Sequence, residues 1–283
     1  MAEDITAGPL LPRVQAATGR ALASGALAPI GTDEEALHDG GYAFRLRTVA
    51  SLARKEAAQA RARAGGFQQD PFLPPYEEGL HVGAVPPAHV GLLNKFPVLD
   101  DHLLIVTHRF QPQDGALDVA DCEAFLRILR AGAGLVFYNG GEIAGASQPH
   151  RHLQWVPLVE RPPLEAAVAA GESLPFPVAG ERLPPTWLTD PVTGAYELHR
   201  CYTRLLGAIG RARATAVPDR PGAYNLLATR DRVWAVPRTH GSIAGVAINA
   251  LGYAGWMLAA DETQAKTVRT RGPLALLAAA AGR

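Results

Sequence analysis

The chain contains 283 residues, of which 48% are apolar, so it can bury a core in one large domain or two small ones. Its basic and acidic residues both number 27, and this balance gives no reason to expect nucleic acid or an anionic membrane as a partner. No apolar run approaches the roughly 18 residues that span a bilayer, and the acidic N-terminus lacks the features of a secretory signal.

The N-terminal part of the chain predicts helices followed by an extended segment. Residues 10–30 and 50–64 are rich in alanine and place apolar or arginine residues at helical spacing, with Gly65 and Gly66 as a stop signal for the second helix. Residues 70–76 are dense in proline and cannot be helical. Their large apolar side chains predict an extended crossing that packs against the core.

Short apolar runs separated by turn residues occupy much of the remaining chain. Runs of this length and composition are typical of buried strands. We predict strands at residues 90–93, 102–107, 135–138, 153–156, 223–228 and 232–236.

Helical periodicity returns between these strands. Residues 117–131 place their apolar side chains on one face, with Asp118 as a credible N-cap and Gly132 as a stop signal. Further helices are predicted at 196–209 and from Pro273 onward. The two cysteines, at positions 122 and 201, are far apart and outside any C-x-x-C spacing, which argues against a disulfide and predicts a reducing, cytoplasmic location.

A loop rich in small residues runs from residue 140 to residue 149, with the sequence GGEIAGASQP. Small residues let the backbone approach a ligand closely, and successive exposed amide groups can form a nest for phosphate oxygens. The loop positions that we expect to bind the substrate are Gly145, Ala146, Ser147 and Gln148.

Three polar residues follow this loop at alternate positions. On a strand, His150, His152 and Gln154 would share one face, because side chains alternate. A neutral imidazole can attack phosphorus, and the resulting phosphoramidate is reactive enough to pass its group to a second acceptor. Gln154 would donate an amide hydrogen to a non-bridging oxygen without titrating, and Ser147 could do the same with its hydroxyl.

Other roles are open for these polar residues on sequence grounds alone. A His-x-His pair on a strand is also a metal-ligand spacing, although a third suitable ligand is missing nearby. The two histidines could instead be structural and hydrogen-bonded within the sheet. Asn139, at the mouth of the loop, could bind ribose or phosphate, but asparagine before glycine is also common turn chemistry.

The run from residue 145 to residue 154 resembles the signature of the ATP adenylyltransferases, the diadenosine tetraphosphate phosphorylases of the histidine-triad superfamily. Gln154 stands where that superfamily's third histidine would be, as in this branch and in the galactose-1-phosphate uridylyltransferases. An ordered series of further blocks looks like the same family: residues 70–75, 92–96, 102–107, 138–141, 224–227, 236–238 and 249–255.

The resemblance implies adenylyl transfer between small-molecule nucleotides. His152 would attack the α-phosphorus of diadenosine tetraphosphate, release ATP and hold AMP until inorganic phosphate takes it as ADP. His150 would orient the loop or the nucleophile through hydrogen bonding. The implied fold is α/β (α+β), with a mainly antiparallel sheet, flanking helices and a C-terminal portion that completes the site.

The resemblance also implies further binding residues. Lys55 alone could equally belong to a solvated helix face, and Ala260 stands where the family often has a lysine, which leaves the preferred polyphosphate length open. No cofactor is assigned, and whether Mg²⁺ accompanies the polyphosphate is open, as is the oligomeric state. The positions that match nucleotide-binding or phosphate-binding residues are Lys55, Asn94, Lys95, Asn249, Ala250 and Leu251.

Three regions are predicted along the chain: a histidine-triad-like catalytic region at 1–165, a proline-rich and glycine-rich connection at 166–190, and a C-terminal adenylyltransferase region at 191–283. We expect residues 160–191 to form a long surface excursion.

Three alternatives to phosphorolysis are a hydrolase of the same superfamily, a uridylyltransferase and a non-catalytic nucleotide-binding regulator. Gln154 disfavours the hydrolase, because a histidine there would better assist protonation of the leaving group and the attack of water.

Overall fold

The computed structural model describes residues 3–49, 70–158, 160–211 and 220–283. The predicted helix at 50–64, which includes Lys55, lies outside these ranges. In the described part of the chain, no helix has the length and hydropathy that crossing a bilayer requires.

The strands, in chain order, are β1 (Thr32–Asp39), β2 (Tyr42–Val49), β3 (His81–Val85), β4 (His89–Leu93), β5 (Leu103–Thr107), β6 (Leu135–Gly140), β7 (His152–Val156), β8 (Ala179–Arg182), β9 (Tyr224–Ala228), β10 (Arg232–Pro237), β11 (Ser242–Ile243), β12 (Val246–Ala247) and β13 (Trp256–Ala259). The helices are α1 (Leu10–Ser24), α2 (Val119–Ala131), α3 (Pro163–Ala170), α4 (Pro185–Thr189), α5 (Pro191–Ala208), α6 (Glu262–Arg271) and α7 (Pro273–Ala280).

Eight strands form one antiparallel sheet in the order β3-β4-β5-β7-β6-β9-β10-β8. A second sheet has the order β1-β2-β13, and β11 pairs with β12. The structure confirms the predicted mixed fold with a mainly antiparallel sheet and flanking helices. It also confirms the six predicted strands, because each of them belongs to the large sheet.

The sheet is covered on both faces. On one face, Leu103, Ile105 and Trp155 pack with α1, α2 and α5 in a single core. On the other face, Phe137 belongs to a core that includes the small sheet and the C-terminal helices. On this face Phe72 packs against β4 and β5, so the predicted packing of the segment at 70–76 is confirmed. Its predicted extended conformation is wrong, because residues 71–75 form turns and bends, in which the N–H of Leu73 donates to the main-chain oxygen of Asp70.

Local sequence explains helix α2. The side chain of Asp118 accepts from the main-chain N–H of Asp121, and the Asp121 side chain accepts from the N–H of Asp118, which forms a capping box. Cys122, Phe125 and Leu129 are buried against the sheet. The predicted helix, its N-cap and its end before residue 132 are therefore confirmed.

The expected surface excursion at 160–191 is wrong. Helix α3 buries Leu164, strand β8 extends the large sheet beside β10, and Phe176 is buried in the second core. In this segment the proline and glycine residues mark the ends of secondary-structure elements and not a loop. Pro163 is the first helical residue of α3, and Gly171 ends that helix in the left-handed conformation.

Candidate active site

His152 begins β7, a central strand between β5 and β6, and a glutamine side chain holds its main chain. The Oε1 atom of Gln113 accepts from the N–H of His152 at 2.7 Å. Its Nε2 atom donates to the main-chain oxygens of His152 at 3.2 Å and Asn139 at 2.9 Å. Gln113 therefore replaces the ladder hydrogen bonds between β6 and β7 at this position. Sequence reasoning missed this residue, because its contacts are 26 and 39 residues away.

The imidazole of His152 is buried beneath Phe72, with 5.1 Å between the ring centroids. Its Nδ1 atom lies 2.9 Å from the main-chain oxygen of His150. A carbonyl oxygen only accepts, so Nδ1 carries the proton and Nε2 carries the lone pair. Burial lowers the pKa of His152 to about 4, which outweighs the opposing effect of the hydrogen bond to His150. The ring is therefore neutral at pH 7.

The His152 Nε2 atom makes no hydrogen bond to another described residue, and it is not among the polar atoms sealed in the interior. A neutral imidazole with an accessible, unpaired lone pair is the form of histidine that acts as a nucleophile.

The ring of His150 is anchored away from His152. Its Nδ1 atom lies 2.7 Å from Oδ2 of Asp70, and its Nε2 atom lies 2.9 Å from both the main-chain oxygen and the hydroxyl of Thr107. Both histidine rings touch Phe72, so they share the predicted face of the sheet. The contact between the two histidines is made by the main chain of His150 and not by its ring.

The side chain of Gln154 is held by a buried hydrogen-bond chain. The main-chain N–H of Phe96 donates to Oδ1 of Asn94, so Nδ2 of Asn94 is the donor that faces Nδ1 of His102 at 3.1 Å. His102 must then carry its proton on Nε2, which donates to Oε1 of Gln154 at 3.0 Å. Burial lowers the pKa of His102 to about 4 and keeps it neutral. The NH₂ group of Gln154 is therefore turned away from His102.

His102 and Asn94 are thus connected to the site by hydrogen bonds that end at Gln154. Asn94 was predicted from the family resemblance as a nucleotide-binding residue, and the structure places it in this chain. His102 was predicted only as part of a strand. The available signal was a histidine at the start of an otherwise apolar run.

The glycine-rich loop borders a cavity of about 560 Å³. Gln113 also lines this cavity and binds the main chain of His152, so the cavity adjoins the histidine site. Gly145 has a φ of +96°, and a Cβ atom placed on it would lie 2.5 Å from the Cβ of Asn249. The loop and the C-terminal segment are therefore in close contact. Other lining residues are Phe110, Ala146, Ser147, Gln148 and Arg220.

The predicted C-terminal segment meets Asn139 through its main chain. The N–H of Ala250 donates to Oδ1 of Asn139 at 3.0 Å, and the N–H of Leu251 donates to Oδ1 of Asn249 at 3.0 Å. The side chains of Ala250 and Leu251 are buried in the second core. Hence Asn139 and the segment at 249–251 come together, although the two apolar side chains point into the core.

Lys95 is occupied by other groups. Its Nζ atom lies 2.6 Å from Oε1 of Glu77 and 5.7 Å from the ring centroid of Phe96. Its role in phosphate binding stays a prediction. Among the residues that the structure describes, no group of three histidine, cysteine or acidic side chains is placed to hold a metal ion. Cys122 and Cys201 are both free and buried.

A buried ionic network lies behind the histidine strand. Oδ2 of Asp121 lies 2.8 Å from Nη1 of Arg151, and Oδ1 of Asp121 lies 2.9 Å from Nε2 of His89. All three side chains are almost fully buried. Arg151 stands between the two histidines of the motif, so this network connects the entry of β7 to helix α2.

Known proteins resemble this chain over its whole length. The Ap4A phosphorylase N-terminal domain model matches residues 1–170, and the ATP adenylyltransferase C-terminal domain model matches residues 172–282. The chain is 30% identical to diadenosine 5',5'''-P1,P4-tetraphosphate phosphorylase 2 of Saccharomyces cerevisiae over 200 residues, 60% of this chain and 62% of that protein. It is 27% identical to Protein APA1 of the same organism over 231 residues, 69% of this chain and 70% of that protein.

The first of these matches spans less than two thirds of the relative's length. The fold is similar to the crystal structure of yeast Ap4A phosphorylase Apa2 in complex with AMP, with a TM-score of 0.78, 23% identity and coverage of 100% of this chain and 99% of that one. For Apa2 in complex with Ap4A, the TM-score is 0.76, with 24% identity and coverage of 99% and 97%. The family model that covers more than half of the chain shows that the chain belongs to the Ap4A phosphorylase family.

Proposed function

We propose that this chain phosphorolyses diadenosine tetraphosphate (Ap4A) to ATP and ADP, reversibly, through an adenylyl group carried on His152. The observation that carries the proposal is the tautomer of His152, which keeps its proton on Nδ1 and presents Nε2 as a nucleophile. Family membership and the yeast relatives, one of which was crystallised with Ap4A and with AMP, support the choice of substrate.

In the first step, Nε2 of His152 attacks the α-phosphorus of Ap4A. The N–P bond forms as the bond from that phosphorus to the bridging oxygen breaks, and ATP leaves with the bonding electron pair. The Nδ1 proton stays in its hydrogen bond to the oxygen of His150. In the second step, an oxygen of inorganic phosphate attacks the same phosphorus, the N–P bond breaks, and ADP is released.

Neutral donors would stabilise the charge that develops on the non-bridging oxygens. Gln154 supplies an NH₂ group whose orientation is fixed from behind by His102. Asn139 supplies a second NH₂ group, and Ser147 supplies a hydroxyl at the rim of the cavity. Gln154 does not titrate, which favours phosphate over water as the acceptor, because it cannot act as a general acid or base.

We also place the chain in the histidine-triad superfamily, on the strength of the His150, His152 and Gln154 run. Two buried, unpaired cysteines support a cytoplasmic location. We propose that Mg²⁺ enters with the polyphosphate, because phosphate oxygens are among its preferred ligands. Chelation with EDTA should then slow turnover of Ap4A without changing the thermal unfolding of the free protein.

The test is covalent labelling with Ap4A that carries a radioactive α-phosphate. We expect an acid-labile, base-stable label on the wild type and none on His152→Ala, with ADP formed from the labelled protein only when phosphate is added. Release of AMP without phosphate would indicate a hydrolase instead. A wild type that binds Ap4A but takes no label would exclude the covalent mechanism, and faster labelling from the uridine dinucleotide would indicate a uridylyltransferase.

A further inference from the structure

Asn139 lies near the end of β6, next to the start of β7, where His152 stands. Strands β6 and β7 pair Phe137 with Gln154, where their register ends, and Asn139 and His152 each lie two residues further toward the loop. The amide of Gln113 bridges the main-chain oxygens of these two residues. Since side chains alternate along a strand, Asn139 and His152 project from the same face.

The orientation of the Asn139 amide is determined by a main-chain N–H group, which can donate a hydrogen bond but cannot accept one. Its Oδ1 atom lies 3.0 Å from the main-chain nitrogen of Ala250, which can only donate, so this atom must be the oxygen. Nδ2 of Asn225 donates to the same oxygen at 2.8 Å. The NH₂ group of Asn139 makes no hydrogen bond to another described residue and is not sealed in the interior.

The orientation of Asn225 is determined in the same way. Its Oδ1 atom accepts from Nη1 of Arg238 at 2.7 Å, and a guanidinium group can only donate. Nδ2 of Asn225 must therefore face Asn139. That nitrogen also donates to the main-chain oxygen of Ala144, within the glycine-rich loop, at 2.9 Å. Asn225 is fully buried, so water does not compete for these contacts.

Arg238 begins the series of hydrogen bonds that leads through Asn225 to Asn139. It is 1% exposed, and every acceptor that it has among the described residues is a neutral oxygen, including the carbonyls of His240 and Ile248. A buried guanidinium without a carboxylate partner polarises the hydrogen bonds that begin at it, because little solvent screens its charge. The polarised chain runs from Arg238 through Asn225 to Asn139.

We propose that Asn225 and Arg238 are positioning residues for adenylyl transfer, acting through Asn139 to hold its NH₂ group toward the phosphoryl group at His152. The inference rests on the proposed function. Both residues belong to the part of the chain that matches the ATP adenylyltransferase C-terminal domain, whereas Asn139 and His152 belong to the N-terminal match. The C-terminal region therefore contributes to catalysis by orienting a donor that the N-terminal region carries.

A double-mutant cycle tests this inference. The rate of His152 labelling is measured in the wild type, Asn139→Ala, Asn225→Ala and the double variant. Ap4A is kept saturating, so that a weaker affinity for Ap4A does not lower the measured rate. Loss of one oxyanion donor costs on the order of 100-fold in rate, which we expect for Asn139→Ala. We expect a loss of about 10-fold to 100-fold for Asn225→Ala and no further loss when it is added to Asn139→Ala. If Asn225 had only a structural role, Asn225→Ala would lower the labelling rate by the same factor in the wild type and in Asn139→Ala.

The matched control is Thr229→Val, which removes a buried hydrogen bond to Glu165 just beyond the far end of β9. It should label within about twofold of the wild type, as expected for sites without shared partners. Arg238→Lys keeps the positive charge and a hydrogen-bond donor group, so it should retain more activity than Arg238→Met. If Asn225→Ala does not fold, Asn225→Ser takes its place in the cycle, because its hydroxyl is shorter but still polar.

The outcomes separate this inference from the proposed function. The positioning role would be wrong if the rate losses of the two single variants multiplied in the double variant, or if Asn225→Ala labelled at the wild-type rate. Either result would leave the covalent mechanism intact. If the wild type itself takes no label, the proposed function fails first. Thermal unfolding of each variant shows whether a slow rate comes from loss of folded protein.

Discussion

The Nδ1 atom of His152 lies 2.9 Å from the main-chain oxygen of His150, two residues earlier in the chain. This contact does more than select a tautomer. In the proposed mechanism Nε2 forms a bond to phosphorus, so the ring would gain positive charge, and a neutral hydrogen bond would become a charge-assisted one, which is roughly twice as strong. The main chain would therefore stabilise the proposed adenylylated histidine relative to the free side chain.

The pH dependence of labelling should reflect the low pKa of His152. Protonation occupies the lone pair on Nε2, so the rate falls only as the pH drops through about 4. We expect the labelling rate at saturating Ap4A to be nearly constant between pH 7.5 and pH 5. A histidine at the ordinary value of 6.5 would lose about thirtyfold over the same interval. A decline of that size, with the protein still folded by circular dichroism, would contradict the burial effect.

Replacement of Gln113 should slow chemistry more than it weakens binding. Gln113→Ala leaves the N–H and the oxygen of His152 without their partner, so the histidine loses its defined position. We expect the labelling rate to fall by about 10-fold to 100-fold, as small misplacements of reacting groups do, with little change in the affinity for AMP. Gln264→Ala, which removes a hydrogen bond to the main chain of Ala260, is the control and should label normally.

Alanine at Gly145 should separate the loop from the C-terminal segment. The new Cβ would meet Asn249 at 2.5 Å, and the φ of +96° is unfavourable for any residue with a Cβ. We expect Gly145→Ala to raise the KM for Ap4A by about tenfold or more, because losing about 1.4 kcal/mol of binding energy is enough. Gly25→Ala is the matched control, since Gly25 has a φ of +76° with nothing near its added Cβ. An equal effect of both changes on KM would show that the contact between Gly145 and Asn249 has no role in binding Ap4A.

Neutralising Asp121 should destabilise the protein more than neutralising a surface acid. Asp121→Asn leaves the guanidinium of Arg151 buried without its carboxylate, which typically costs about 3 kcal/mol or more. Glu181→Gln breaks an exposed pair with Arg204 and should cost less than about 1 kcal/mol. Urea unfolding of the two variants measures the difference. Equal midpoints would show that the network behind β7 contributes little to stability.

Much of the fold was predictable because its signals are local. Helix α2 could be identified from its apolar face and from Asp118, whose capping contact spans three residues. The strands of the large sheet that carry continuous apolar runs were predicted for the same reason. The β1–β2 hairpin was not predicted, because its first strand, Thr32–Asp39, is largely polar and partly exposed. Its pairing with β13 joins residues about 210 positions apart, a separation that no local periodicity encodes.

For the site, the amino-acid sequence alone predicted which side chains could react. The alternation of His150, His152 and Gln154 after a loop of small residues indicated a nucleophile beside a phosphate cradle. The choice of free ring nitrogen and the direction that each amide faces follow from the three-dimensional arrangement and could not be read from the sequence. Those choices depend on donors and acceptors from distant elements, such as Asn94 and His102 for Gln154, or Arg238 and Ala250 for Asn139. A hydrogen bond constrains both partners, so the reactive form of a residue is determined by its neighbours in space.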